Sequence, residues 1–263
     1  MRAEVKPSAY DGDIRLIRDY GSKTIELLEP CPGELILDIG CGDGELSSVI
    51  ARKGATVRGM DTDAAAVAIA RSRGIDAVVA DATHIQSPAI YDAVFSHASI
   101  HWMQDSAKVF SGAWAALKPK GRFVAETGAH RNIAAIQTAI LAALDRFDAD
   151  PEKIPRLWFP TADECCDLLE ASGFAVRTIQ VFPRPAPLPK GIDAYFDLFG
   201  KPFFDAIAPK QQIAAKQYAR KLLEPVLRTA SGDWIADYVH LRFAADKITP
   251  LALAPEAAAS TVS

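Results

Sequence analysis

The chain carries a short apolar run that leads into a cluster of glycines, LILDIGCGDG at residues 35–44. Residues 35–39 are mostly apolar, and this composition beside glycine predicts a strand that is buried on both faces. A helical pattern follows at residues 45–53 and ends at Gly54. The stretch therefore predicts the strand, turn and helix that open an α/β domain.

The same alternation of strand and helix continues along the chain. Strand patterns recur at residues 56–60, 77–80, 91–96 and 122–126, with helical patterns at residues 62–72 and 107–117. Strands that alternate with helices form right-handed crossovers and a mostly parallel sheet that is covered on both sides. We therefore predict a doubly wound α/β fold.

The segments outside this alternation are mostly helical in pattern. Helices are predicted at residues 13–29, 133–147, 161–172 and 192–228, and strands at residues 174–182 and 234–244. The prolines of residues 183–189 predict a stiff connector. We expect N-terminal helices over 1–32, a ligand-binding core over 33–185, a helical cap over 186–232, the last strand over 233–248 and a frayed tail over 249–263.

Length and charge limit the partners that the chain can have. A chain of 263 residues buries enough surface to fold without disulfides or metal. The net charge of −4 and the lack of a dense Lys/Arg run argue against nucleic acid and anionic membranes as partners. We expect a small-molecule partner, and the oligomeric state stays open.

The four cysteines have neither CxxC pairing nor zinc-type spacing with the histidines. They predict reduced thiols and no metal site. The sequence has no apolar stretch typical of a secretion signal or of a membrane span. These observations favour a cytoplasmic protein.

The glycine loop predicts a binding site, but not one for a dinucleotide. Gly40, Gly42 and Gly44 have the spacing G-x-G-x-G, whereas a dinucleotide fingerprint requires its third glycine where this chain has Glu45. Asp38, two residues before the first glycine, would repel a pyrophosphate and attract an ammonium group. A ligand that resembles an amino acid therefore fits better.

Two further acids stand at the ends of the second and third predicted strands. Asp61 follows Asp38 by 23 residues, and its carboxylate can accept hydrogen bonds from ribose hydroxyls. Asp81 follows 20 residues later, where a carboxylate can accept a hydrogen bond from an adenine amino group. A ligand with an ammonium, a ribose and an adenine is S-adenosylmethionine.

A wider set of residues extends this argument: Asp38-Ile39-Gly40-Cys41-Gly42-Asp43-Gly44, Asp61, Asp81-Ala82, Tyr91-Asp92-Ala93-Val94-Phe95-Ser96 and Leu117-Lys118-Pro119-Lys120-Gly121-Arg122. In these residues the chain resembles the class I S-adenosylmethionine-dependent methyltransferases. The run Phe95-Ser96-His97-Ala98-Ser99-Ile100-His101-Trp102 is similar to the subset that contains trans-aconitate methyltransferase and the malonyl-carrier-protein methyltransferases. His97 stands where that subset often has Asn, and Lys120 replaces a glycine of the turn.

The resemblance implies a Rossmann-like sheet of seven strands in the order 3-2-1-4-5-7-6, with an antiparallel last strand and the cap inserted before it. It also implies S-adenosylmethionine as the cofactor and S-adenosylhomocysteine as the product. Methyl transfer is an in-line displacement, so such a site aligns the two reactants and excludes water. Cofactor contacts are expected at Asp38, Gly40, Cys41, Gly42, Gly44, Asp61, Thr62, Asp81, Ala82 and His97.

Side chains beyond the fourth, fifth and sixth strands are candidates for the pocket of the methyl acceptor. His101 is the candidate catalytic residue, either as a base or as an orienting donor, and Trp102 is a candidate wall. His130 follows the fifth strand, and Arg184 follows the sixth, where a guanidinium can clamp a carboxylate. The resemblance implies that Tyr20 closes the site from the N-terminal helix.

We predict an enzyme that methylates a small molecule, with a carboxylate or another oxygen as the acceptor. A carboxylate is already nucleophilic, whereas a phenol or a protonated amine needs a general base. N- or C-methylation of a secondary metabolite is an alternative. A second alternative is a protein that binds the cofactor without transferring its methyl group, as a cyclase or a partner subunit.

Overall fold

The structure is a computed structural model that describes residues 14–248, with the backbone alone for residues 14–20. The predicted tail at 249–263 lies outside these residues. Among them the chain forms strands β1 (Leu35–Ile39), β2 (Thr56–Asp61), β3 (Asp76–Val79), β4 (Tyr91–His97), β5 (Leu117–Gly128), β6 (Phe174–Pro183), β7 (Ala186–Pro187), β8 (Ile235–Ala236) and β9 (Val239–Lys247).

The main sheet has seven strands in the order β3-β2-β1-β4-β5-β9-β6. Strands β1 to β5 pair in parallel, and β9 pairs antiparallel with both β5 and β6. Since β9 is the seventh strand of this sheet along the chain, the predicted order and the antiparallel last strand are confirmed. The carboxyl ends of β1 to β6 therefore meet at one edge of the sheet, together with the start of β9.

The helices lie before, between and after these strands. Within residues 14–248 they are α1 (Ile14–Leu28), α2 (Glu45–Ala51), α3 (Ala64–Ser72), α4 (Ser106–Ala116), α5 (Ala134–Arg146), α6 (Ala162–Ala171), α7 (Gly191–Leu198), α8 (Lys201–Phe204) and α9 (Pro209–Leu227). None of the helices in this part of the chain has the length and apolar character that crossing a bilayer requires.

Two elements of the second half differ from the sequence prediction. The helical pattern at 192–228 is divided into three helices, and Pro209 begins the last of them at a position where its missing N–H is not needed. The strand predicted at 234–244 begins only at Val239, because Ile235 and Ala236 pair with β7 inside the proline-rich connector. The prolines of this connector permit only a two-residue pairing.

The apolar side chains form separate cores above and below the sheet. In one of them Phe243 lies between Phe110 and Phe123, with ring centroids 5.8 and 5.0 Å away. Another core joins α5 to the helices α7, α8 and α9. Helix α5 belongs to the segment predicted as the ligand-binding core, yet it packs with helices that lie in the segment predicted as a cap.

Helix α1 crosses one face of the sheet and fixes the geometry of the site. Ile25 and Leu28 are buried against Phe95 of β4 and its neighbours. Arg122, in the middle of β5, donates to the carbonyl oxygen of Leu28 at 2.6 Å and pairs with Glu34 at 2.7 Å. The carboxyl end of α1 is thereby held beside the middle of β5, and Thr24 in the preceding turn of α1 lies beside His97 of β4 and Glu126 of β5.

Replacement of Phe243 tests the sheet core. Phe243→Ala removes a fully buried ring that contacts two others, and we expect it to lower the free energy of unfolding by about 3–5 kcal/mol in urea titrations. Val181→Ala on β6 is the matched control, because Val181 is 46% exposed and its loss should cost less than about 1 kcal/mol. Equal losses for the two variants would contradict this account of the core.

Candidate functional site

The glycine loop after β1 requires glycine at two positions for different reasons. Gly40 has φ +72°, and a side chain there would overlap with Ser99 of the loop after β4. Gly42 has φ +53°, and a side chain there would meet no protein atom within 4 Å. Gly40 is therefore needed for packing, whereas Gly42 leaves the loop backbone open to a ligand.

Backbone hydrogen bonds hold this loop against the second strand. Gly40 and Cys41 donate to the carbonyl oxygen of Met60 at 2.8 and 3.1 Å. Gly42 N donates to Asp61 Oδ2, and Asp63 N donates to Asp61 Oδ1, both at 2.9 Å. Each carboxylate oxygen of the half-buried Asp61 can accept a further bond, so Asp61 can fix the loop and bind ribose hydroxyls at once.

The side chain of Cys41 faces away from the open side of the loop. It packs in a small core with Val67, Ala70, Ile75 and Ala77, and burial raises the pKa of its thiol well above the ordinary value. Only the backbone of Cys41 is therefore suited to contact a ligand.

Asp38 is buried in β1, with 2% of its surface exposed. Its Oδ2 accepts a hydrogen bond from Ser47 at the start of α2. Burial, aided by the charge of Asp61, raises the pKa of Asp38 from 3.8 to about 7, although the bond from Ser47 opposes the shift. A cationic group placed beside this carboxyl would favour its ionised form.

The third acid has a structural role besides the predicted one. Asp81 is exposed just after β3, and its Oδ1 accepts hydrogen bonds from the backbone N and the Oγ1 of Thr83, both at 2.9 Å. It thus caps the short helix Ala82–His84. Ala82 is buried and Thr62 is exposed, and all these residues lie at the same sheet edge as Asp38 and Asp61.

A buried ion cluster occupies the other half of this edge. Glu126 of β5 is fully buried and pairs with three cationic or basic side chains. His240 Nδ1 lies 2.7 Å from Glu126 Oε1, Arg242 Nε donates to Glu126 Oε2 at 2.8 Å, and Arg184 also pairs with Oε1. The Oγ1 of Thr24 on α1 donates to Oε2 at 2.7 Å.

This cluster keeps Glu126 ionised. Burial alone would raise the pKa of Glu126, but the hydrogen bond from His240 and the charge of Arg184 hold it well below its usual range. The two guanidinium Cζ atoms also lie over the ring of Phe182, at 5.6 Å for Arg184 and 4.9 Å for Arg242.

Two of the three predicted site histidines, His97 and His101, are neutral at pH 7. Burial lowers the pKa of His97 to about 4 and that of His101 to about 3. His97 Nδ1 lies 3.4 Å from Thr24 Oγ1. His101 Nδ1 lies 3.0 Å from Thr127 Oγ1 and accepts from the Gly128 backbone N at 3.4 Å.

The remaining candidates for the acceptor pocket have diverse surroundings. Trp102 is 38% exposed and stacks obliquely on His101, with ring centroids 5.6 Å apart. His130 is exposed, and its backbone N donates to the Pro160 carbonyl oxygen at 2.8 Å. Arg184 is buried and pairs with Glu126. The side chain of Tyr20 lies outside the described residues.

Thr24, His240 and Arg242 belong to the cluster but were missed by sequence reasoning. The two basic residues alternate along the last strand, in a segment otherwise rich in buried apolar residues. Polar residues at every second position of a strand that is paired on both sides indicate a polar site on that face. That pattern could have identified His240 and Arg242, whereas no local pattern marks Thr24.

Removal of Asp61 tests the cofactor half of the site. We expect Asp61→Ala to weaken S-adenosylhomocysteine binding by about 1–3 kcal/mol, because charged hydrogen bonds to the ribose and to the loop are lost. Asp76→Ala, an exposed acid of the adjacent strand that pairs with Arg58, should leave the affinity unchanged. Calorimetric titration of both variants measures the difference, and equal affinities would contradict the assignment.

Removal of the ionisable group at Asp38 should change how stability depends on pH. The folded-state pKa of about 7 exceeds 3.8, so the folded protein holds this proton more tightly than the unfolded chain. The stabilisation that the folded protein gains by holding this proton is complete below about pH 4, and it is lost as the pH rises through about 7.

Asn cannot ionise and still accepts the bond from Ser47. Ligand-free Asp38→Asn should therefore melt at about the wild-type temperature near pH 4 and several degrees above it near pH 8, while its affinity for S-adenosylhomocysteine falls. Thermal unfolding across this range checks the first effect. A pH-independent difference would contradict the burial of an ionisable Asp38.

Comparisons with known proteins agree with this geometry. Residues 37–125 match the family model described as a methyltransferase domain. The chain is 32% identical over 225 residues to an uncharacterized methyltransferase of Schizosaccharomyces pombe. This match covers 81% of this chain and 86% of the relative. A trans-aconitate 2-methyltransferase of Mycobacterium ulcerans is 35% identical over 92 residues, which are 34% of this chain and 35% of the relative.

A solved structure shares the fold at low sequence identity. The geranyl diphosphate C-methyltransferase of Streptomyces coelicolor A3(2), in complex with Mg²⁺, geranyl diphosphate and S-adenosylhomocysteine, has a TM-score of 0.56 and 17% identity. The match covers 89% of this chain and 78% of that chain. With its strand order, its glycine loop and its long match to the yeast relative, the chain belongs to the S-adenosylmethionine-dependent methyltransferase family and has the class I fold.

Proposed function

We propose that this methyltransferase esterifies a small acidic molecule, transferring the methyl group of S-adenosylmethionine to a carboxylate oxygen. The observation that carries the proposal is the excess of positive charge around Glu126. Among the described side chains, Arg184 and Arg242 share this single carboxylate, so these three groups together have a net charge of +1.

The cofactor is assigned to the acidic half of the sheet edge. Asp38 would attract the methionyl ammonium, Asp61 would accept from the ribose hydroxyls, and Asp81 with Ala82 would bind the adenine. The open side of Gly42 gives the ligand access to the loop backbone. Gly40 and Gly44 shape that loop, Cys41 contributes only its backbone, and Thr62 lies beside Asp61. Bound S-adenosylmethionine supplies an electrophilic methyl group on its sulfonium.

The acceptor is assigned to the basic half of the same edge. Arg184 follows β6, and His240 lies near the start of β9. Both residues are therefore at the sheet edge that the carboxyl ends of β4 and β5 form. A buried excess of positive charge favours an anionic ligand. The mycobacterial relative is named for an acid, trans-aconitate, which supports the same class of acceptor.

The histidines support an acceptor that needs no deprotonation. With pKa values of about 4 and 3, His97 and His101 are weak bases at pH 7. The Nδ1 of His101 already accepts from Gly128, so we assign this ring to orienting the acceptor as a donor rather than to removing a proton. A carboxylate is ionised and nucleophilic without help, whereas a phenol or an ammonium is not.

The remaining candidates complete the acceptor pocket in this proposal. Trp102 forms a wall beside His101, His130 lies on the loop after β5, and Tyr20 closes the site from α1. Their part is to align the acceptor with the methyl group and to exclude water.

We also propose a cytoplasmic location. All four cysteines of the chain are free thiols, which is the usual state in a reducing compartment. Fractionation of cells that express the tagged protein would test this.

The stability of the product in mild base tests the proposal directly. Purified protein is incubated with methyl-labelled cofactor and a panel of carboxylic acids, phenols and amines. We expect label in the acids alone, released as volatile methanol by mild base, because methyl esters hydrolyse where ethers, N-methyl and C-methyl products do not. Base-stable label would favour N-, C- or ether methylation, and cofactor binding without transfer to any acceptor would favour the cyclase or partner-subunit alternative.

Substitution of Arg184 tests the acceptor half separately. Arg184→Gln should raise the KM for the acid about tenfold or more, the effect of losing one charged hydrogen bond, while the affinity for S-adenosylhomocysteine stays unchanged. Arg184→Lys keeps the charge but loses the planar guanidinium, so its KM for the acid should lie between those of the wild type and Arg184→Gln. If Arg184→Gln both raises the KM for the acid and weakens S-adenosylhomocysteine binding, Arg184 only supports the fold.

A further inference from the structure

His97 and His101 lie at the end of β4 and in the turn that follows it, and each ring is held through its Nδ1 atom. Thr24 lies beside the Nδ1 of His97, whereas Thr127 and Gly128 lie beside the Nδ1 of His101. In the part of the chain that the structure describes, no residue forms a hydrogen bond with the Nε2 of either ring. The Nε2 atoms are therefore the ring nitrogens with which a ligand can form a hydrogen bond.

The partners of His101 fix where its hydrogen lies. A backbone N–H can only donate, so the bond from Gly128 requires a lone pair on His101 Nδ1. A neutral imidazole has one hydrogen, which must then be on Nε2. His101 therefore presents a donor.

The partners of His97 lead to the opposite result. Glu126 is ionised and can only accept, so the single hydroxyl hydrogen of Thr24 is directed to Glu126 Oε2, 2.7 Å away. The Thr24 oxygen is then left as the acceptor in its contact with His97 Nδ1 at 3.4 Å. The hydrogen of the neutral ring is consequently on Nδ1, and Nε2 carries the lone pair.

We propose that Thr24 and Glu126 are positioning residues that hold His97 in its Nδ1–H tautomer, so that His97 Nε2 accepts a hydrogen bond from an N–H or O–H group of a bound ligand. The inference rests on the cofactor and acceptor occupying this sheet edge, but not on which atom is methylated. His97 and His101 then present an acceptor and a donor from adjacent positions of one segment. The complementary group is either the ammonium of the cofactor or a hydroxyl of the acceptor.

The arrangement gives helix α1 a specific part in the site. Thr24 is buried and links α1 to β4 and β5 through one hydroxyl group. Without that hydroxyl the Nδ1 of His97 loses its acceptor, and nothing in the described cluster prevents the hydrogen from moving to Nε2. An Nε2–H would repel a ligand N–H or O–H instead of accepting from it.

The tautomer can be measured in the wild-type protein by NMR with ¹⁵N-labelled histidine. The chemical shifts of the two ring nitrogens differ strongly between protonated and lone-pair forms, and the His97 signals are assigned by their loss in His97→Gln. We expect His97 to be protonated at Nδ1 and His101 at Nε2 near pH 7. Protonation of His97 at Nε2 would overturn the proposal, with no variant required.

A matched pair of variants tests the role of the hydroxyl. Thr24→Val keeps the shape of the side chain and removes the hydroxyl, and it should shift His97 toward Nε2–H. Thr24→Ser keeps the hydroxyl and should retain the wild-type tautomer. If the His97 tautomer is the same in the wild type and in both variants, the positioning role is overturned. A merely structural effect of the substitution would not give the expected pattern, in which Thr24→Ser has the wild-type tautomer and Thr24→Val does not.

The ligand group is identified by two affinities measured on the same variants. If the cofactor ammonium is the donor, Thr24→Val weakens S-adenosylhomocysteine binding about five- to tenfold, one hydrogen bond in size, and Thr24→Ser restores it. If an acceptor hydroxyl is the donor, this affinity stays constant and the acceptor KM rises instead. A changed tautomer with neither affinity altered would overturn the ligand-binding role of His97.

Discussion

The strand order of the sheet reverses between β1 and β4, and this reversal dictates where a ligand can bind. Helices leave the two strands on opposite faces, so a crevice opens at their carboxyl ends. Every predicted cofactor residue lies near the carboxyl end of β1, β2, β3 or β4 or just after it, and the candidates for the acceptor pocket follow β4, β5 or β6 or lie on α1. The reversal thereby brings together groups that are far apart along the chain.

The two sides of this crevice have opposite charge. Asp38, Asp61 and Asp81 stand on the side of β1 to β3, where a sulfonium with an ammonium and a ribose is attracted. On the other side, Arg184 and Arg242 exceed the charge of Glu126. In the proposed reaction, a cationic donor of the methyl group and an anionic acceptor would be drawn to adjacent positions, which favours the alignment that in-line transfer requires.

The acidic side could be predicted from the sequence because it depends on local patterns. Strand ends and glycine spacing place the three acids without any long-range information, and the strand order followed from the resemblance. The packing partners of Cys41 and the hydrogen bond that Asp81 accepts from Thr83 required the structure, since both depend on which neighbour each side chain contacts.

The basic side could not be assembled in the same way. Glu126 meets Thr24, which is 102 residues away, and His240, which is 114 residues away. These contacts exist because β9 follows helices α7 to α9 along the chain and inserts between β5 and β6. Arg184 was identified only as a residue after a strand, so its burial and its pairing with Glu126 were not predictable from its neighbours in the sequence. The neutral state of His101 likewise depends on burial by distant elements.

Calorimetric titration of the wild-type protein tests the central assignment most directly, namely that three acids at neighbouring strand ends form a cradle for a cationic nucleoside and not for a diphosphate. S-adenosylmethionine and S-adenosylhomocysteine should each bind at a single site, and nicotinamide and flavin dinucleotides should give no heat of binding. Uptake of a dinucleotide by a protein that ignores both sulfur nucleosides would contradict the account.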